Sequence, residues 1–114
     1  MRIFQEIPLK ENDRRAIEEA VRVLREQFPV EKVILFGSKA RGTDDPESDI
    51  DLLVLTCEPL GWREQRKVIS VLYEIELNHD VVISPLIVST QEWQKGPYTV
   101  LPIYDEIGRD GVAA

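Results

Sequence analysis

Residues 33–55, VILFGSKARGTDDPESDIDLLVL, set two apolar runs on either side of a polar loop, and this arrangement most limits what the chain can fold into. The first run, Val33 to Phe36, stops at Gly37-Ser38. Ten residues later, Asp49-Ile50-Asp51 opens a second run, Leu52 to Leu55. Short apolar runs bounded by turn residues read as strands, and Ile50 to Leu55 reads as a central strand covered on both faces. Residues two apart on a strand share a face, so Asp49 and Asp51 are expected to project side by side. Two carboxylates so placed suit a hard divalent cation such as Mg²⁺. Gly37-Ser38, at the expected mouth of a short helix, offers N–H groups and a hydroxyl to a phosphate.

The flanking sequence supplies helices to cover such a sheet. From Asn12 or Asp13 to Phe28, Ile17, Ala20, Val21, Leu24 and Phe28 recur at helical spacing, and Pro29 ends the run. Lys32 to Phe36 is the first strand, Ser38 to Arg41 a short helix start, and Thr43 to Ser48 turn chemistry. Gly61 to Leu77 predicts a second long helix with Val68, Ile69, Leu72, Ile75 and Leu77 inward. Asp80 to Val88 predicts a third strand, on which Asp80, Val82 and Ser84 share one face. Ser89 with Glu92 forms a capping box for a short helix through Gln94. Tyr98 to Gly108 is weakly helical, and Asp110 to Ala114 is expected to fray. The alternation predicts one α/β domain over residues 1–114, a sheet with helices packed against it.

Composition narrows the function classes. The chain carries 21 acidic against 14 basic residues, a net charge of −7, whereas binders of extended nucleic acid usually present a basic face. No stretch approaches the roughly 20 apolar residues of a membrane span, and no signal-peptide pattern opens the chain. A lone cysteine, Cys57, fits a cytoplasmic setting. Gly37-x₄-Gly42 has half of a P-loop, but Thr43-Asp44 stand where that motif needs Lys and Ser/Thr, which excludes it. Of the two cations after the turn, Arg41 suits bidentate phosphate contact and Lys39 reads as a solvated helix charge. His79, the single histidine, reads as structural or exposed, and Trp62 and Trp93 as helix anchors.

Gly37-Ser38, ten intervening residues and Asp49-Ile50-Asp51 together resemble the signature of the nucleotidyltransferase superfamily typified by DNA polymerase β. The flanking Lys39-Ala40-Arg41-Gly42 and Ser48 are similar to its minimal (MNT-type) members. The resemblance implies a small mixed sheet (an α+β arrangement) and a Mg²⁺-dependent transfer of a nucleoside monophosphate, AMP from ATP, to an acceptor hydroxyl. It implies two metal ions on Asp49 and Asp51, with Gly37, Ser38 and Arg41 at the nucleotide. It also implies a third catalytic carboxylate on the neighbouring strand. Asp80 is the only acid between His79 and Pro85, whereas the family pattern would set the acid at Val82. Small members commonly act with a helical HEPN-type partner, some as antitoxins that attach AMP to a toxin tyrosine, and a homo-oligomer is a further arrangement. Two other readings stand beside this one: a nucleotide-binding or interaction module with little or no catalysis, and an antibiotic-modifying nucleotidyltransferase.

Overall fold

A computed structural model describes residues 2–43 and 48–114. In chain order these form α1 (Glu11–Gln27), β1 (Val30–Phe36), α2 (Gly37–Arg41), β2 (Ile50–Thr56), α3 (Trp62–His79), β3 (Ile83–Ser89), α4 (Thr90–Lys95), α5 (Pro102–Asp110) and β4 (Val112–Ala113), with short 3-10 turns at Phe4–Glu6 and Pro97–Val100. The strands make one mixed sheet in the order β3-β2-β1-β4. β1 runs antiparallel to β2 and to β4, and β2 runs parallel to β3. The mixed sheet is the one implied by the family resemblance. Of the expected turn, Asp44 to Glu47 lie outside the described residues.

Strand alternation explains the layering. Ile50, Leu52 and Val54 of β2 pack with Ile17, Ala20 and Leu24 of α1 and with Val68, Leu72 and Ile75 of α3. Leu53 and Leu55 turn the other way, to Trp93 of α4 and Ile107 of α5. β2 is therefore covered on both faces, as its unbroken apolar run predicts. Fully burying a side chain such as Ile17 or Leu24 contributes about 1.5–3 kcal/mol, so the two helical layers hold β2, and Asp51 within it, in place.

Several expectations are corrected. The C-terminal segment does not fray: Val112 is fully buried, β4 pairs with β1, and Ala114 N–H donates to the Val33 carbonyl at 2.9 Å. α3 turns only Val68, Leu72 and Ile75 inward; Ile69 and Leu77 are exposed, because they lie on the side of the helix away from the sheet. Trp93 is a buried anchor against Tyr98 and Tyr104, but Trp62 is 63% exposed at the start of α3. β3 begins at Ile83, and Asp80 instead ends α3. Its φ of 55° is left-handed, a conformation that aspartate tolerates better than most residues and that stops the helix.

Candidate active site

The end of β1, the short α2 and the starts of β2 and β3 meet on the α5 side of the sheet. Phe36 pairs with Asp51 across β1 and β2, and Asp51 pairs with Ser84 across β2 and β3. Asp51 therefore shares its face with Leu53 and Leu55, the α4–α5 layer. β2 begins at Ile50, as expected, and the Ile50 N–H donates to the Val82 carbonyl at 2.8 Å. Asp49 sits just before it, exposed, and accepts a hydrogen bond from Ser84 Oγ at 3.0 Å. The two aspartates are thus tied to the same strand edge.

Gly37 explains why glycine precedes Ser38. Its φ is +76°, and a Cβ built on it would lie 2.2 Å from Asp51 Oδ2. The left-handed backbone disfavours a side chain, and one placed there would push the Asp51 carboxylate aside. The neighbour that requires glycine is the Asp51 carboxylate itself, so the turn after β1 and the acid of β2 are interlocked. Gly37→Ala is expected to lose on the order of 2 kcal/mol in urea unfolding, from the left-handed penalty and from pushing Asp51 aside. A loss within about 0.5 kcal/mol would contradict this interlock.

Charge at the site is crowded. Asp51 has its pKa raised, first by burial, then by the Asp49 and Glu106 carboxylates, while Arg41 and Lys39 partly offset this. Arg41 Nη1 donates to Glu106 Oε1 at 2.9 Å, with both side chains more than a third exposed. Glu106, on α5, is a site residue that sequence reasoning missed. Its relation to Asp51 spans 55 positions, and nothing local in a weakly helical segment marks it.

Lys39 is a second surprise. The expectation of a solvated charge is wrong: its side chain is 1% exposed, and Nζ donates to Asp13 Oδ2 at 2.8 Å. A lysine so placed reaches inward from α2 to α1, because Asp13 lies four residues before Ile17 on the buried face of α1. That acid on an otherwise apolar face was the available signal.

Asp80 is not brought to the aspartate pair. It caps α3 and lines a separate depression with Lys10, Asn12, Asp13, Ser48, Val81 and Val82. Among the described residues, no three His, Cys, Asp or Glu side chains converge as a metal-holding group. His79 is structural, its Nε2 2.5 Å from Glu19 Oε2 of α1.

Comparison with known proteins agrees with this architecture. A family model described as a nucleotidyltransferase domain matches residues 17–98. Two proteins of Methanocaldococcus jannaschii, "Putative protein adenylyltransferase MJ0141" and "Putative protein adenylyltransferase MJ0604", are similar in sequence. The first is 45% identical over 58 residues, which is 51% of this chain and 59% of the relative. The second is 35% identical over 86 residues, 74% of this chain and 81% of the relative. Among solved structures, a "putative nucleotidyltransferase" from Sulfolobus solfataricus aligns with a TM-score of 0.57 at 20% identity, covering 87% of this chain and 76% of that one. A toxin–antitoxin structure with AMP-PNP aligns with a TM-score of 0.58 at 18% identity, covering 91% and 72%. At these identities the structural likeness is one of fold.

Proposed function

The chain belongs to the nucleotidyltransferase domain family, and from that premise we propose that it is a Mg²⁺-dependent adenylyltransferase that moves AMP from ATP to an acceptor hydroxyl. The observation that carries the reading is the interlock of Gly37 with Asp51, which joins the proposed phosphate turn to the proposed metal ligand. Residues 1–114 are taken as one domain, because Phe4, Ile7 and Val112, outside the matched segment, are buried in the same core as β2.

The donor set fits a hard divalent cation. Asp49 and Asp51 offer carboxylate oxygens on one strand edge, crowded enough that burial and like charge disfavour ionised Asp51. When bound, a pair of Mg²⁺ ions supplies charge stabilisation to the entering and leaving oxygens of the transferred phosphoryl group. The protein's part is binding and orientation. Asp49 and Asp51 hold the metals, and Ser84 fixes the Asp49 carboxylate through its hydroxyl. Gly37 and Ser38 receive the triphosphate with N–H groups and a hydroxyl. Arg41, now paired with Glu106, is placed to neutralise phosphate oxygens once it leaves that carboxylate.

The acceptor we propose is a hydroxyl on a partner protein of the helical HEPN type, with this chain as the antitoxin. This rests on the protein adenylyltransferase names of the two archaeal relatives and on the fold shared with a toxin–antitoxin structure. A cytoplasmic setting follows from such a partner, and among the described residues no helix is long and apolar enough to cross a membrane.

A second reading, a nucleotide-binding module with weak catalysis, is favoured by one observation: Asp80 stands apart from Asp49 and Asp51. A substitution pair separates the two. Asp80→Asn is expected to leave AMP transfer, followed with labelled ATP, within about twofold of the parent, since a carboxylate outside the site does not act on the reacting atoms. Val82→Asp introduces an acid at a 54% exposed residue whose carbonyl is bonded to Ile50; it raises transfer if the parent is the weakly catalytic module and leaves it unchanged if the parent is already a competent transferase. Loss of transfer in Asp80→Asn as complete as in an Asp51 variant would restore Asp80 to the site.

A further inference from the structure

α3 carries apolar residues on two faces, and only one of them is covered. Val68, Leu72 and Ile75 are buried against the sheet, on the face opposite Asp51. On the outer side Trp62, Ile69, Tyr73 and Leu77 are 63%, 48%, 57% and 66% exposed. At 3.6 residues per turn these four, with Arg66, fall within about 80° of arc. They form a stripe along nearly the whole of the 18-residue helix. The guanidinium groups of Arg63 and Arg66 lie 5.3 and 5.7 Å from the Trp62 ring. Contiguous exposed stripes of this kind mark interaction surfaces.

We propose that this stripe is a self-association surface, on which α3 packs antiparallel against α3 of a second copy of this chain. Charge complementarity within one helix selects a second copy as the occupant. A closed two-fold interface must be self-complementary, each patch meeting its own copy. In an antiparallel pairing centred between Ile69 and Ser70, Trp62 stands opposite Leu77 of the second copy, and Arg66 opposite its Tyr73. Antiparallel helices also bring the same flank of each together. On one such flank lie Arg63 and Lys67 from the first half of α3 and Glu74 from the second, all exposed. The same register puts Glu74 of the second copy between Arg63 and Lys67. One helix therefore supplies both the apolar seam and the opposite charges that flank it. Because α3 and Asp51 lie on opposite faces of the sheet, the pairing leaves the nucleotide side of each copy open.

Analytical ultracentrifugation of the full chain tests this directly. The parent is expected to sediment as a dimer, and Ile69→Asp and Tyr73→Glu as monomers with unchanged circular dichroism, since both positions are solvent-exposed. Glu74→Lys alone and Arg63→Glu/Lys67→Glu alone should each be monomeric, and mixing the two should give a one-to-one heterodimer. Orientation is read in a Cys57→Ser background, where Trp62→Cys copies should form a disulfide with Leu77→Cys copies and neither should link to itself. A parent that remains monomeric at every loading concentration overturns the proposal, whether or not a different protein then proves to bind the stripe. So does a dimer indifferent to Ile69→Asp, a mixture of charge variants that stays monomeric, or self-linking of the Trp62→Cys copies.

Discussion

Asp49→Asn and Asp51→Asn are each expected to lower Mg²⁺-dependent AMP transfer by more than about a hundredfold. Groups that merely support metal ligands cost 10–100-fold when changed, and a direct ligand is expected to cost more. Each substitution keeps the side-chain shape and removes one formal charge, so the fold should persist. The Asp51 variant should even gain stability without metal at neutral pH. Its carboxyl has a raised pKa in the folded protein, through burial and then through Asp49 and Glu106. A raised carboxyl pKa means that the folded state is favoured below the ordinary aspartate range and loses that contribution as pH rises through the raised value. Asparagine has no such titration, so its stability should vary less over that window. For the same reason, Mg²⁺ affinity of the parent should decline on acidification at a higher pH than an ordinary aspartate would give. Retained transfer in both variants, with parental metal affinity, would remove these aspartates from the site.

Lys39→Met should destabilise the protein by about 3–5 kcal/mol, the usual cost of taking one partner from a buried ion pair. Lys39 and Asp13 are 1% and 7% exposed and bonded at 2.8 Å. Without the ammonium group, a buried carboxylate on α1 loses the cation that neutralises it. Replacing both partners, as Asp13→Leu/Lys39→Met, should recover most of the loss, because an apolar pair of similar volume carries no desolvation penalty. Urea unfolding of the two single variants and the double variant gives the coupling. Additive losses would show that the pair is incidental. The pair also bears on function, since α2 is only five residues long and Lys39 ties it to α1 between Gly37 and Arg41.

The parts of this molecule written in local pattern were legible from sequence. The unbroken apolar run after Asp51 announced a strand covered twice, and the Ser89–Glu92 capping box is present, with Glu92 N–H donating to Ser89 Oγ at 3.1 Å. What escaped was long-range. Lys39 is buried only because Asp13, 26 positions earlier, faces it. Glu106 acts on Asp51 only because α5 packs beside α2 and β1, 55 positions further along the chain. Asp80 looked like the start of a strand because Val81 to Val88 is apolar, yet its left-handed backbone spends that residue on ending α3. Val112 is a core residue in a tail too short to show a period.

Asp49 and Asp51 are expected to hold the metal that binds the nucleotide presented by Gly37 and Ser38. A crystal of the parent soaked with Mg²⁺ and a non-hydrolysable ATP analogue tests it most directly. The expected result is Mg²⁺ at about 2.0–2.1 Å from oxygens of both aspartates, with the triphosphate against the Gly37-Ser38 turn and Asp80 outside the coordination shell. A triphosphate bound elsewhere, or metal on the triphosphate with neither aspartate among its ligands, would contradict the account.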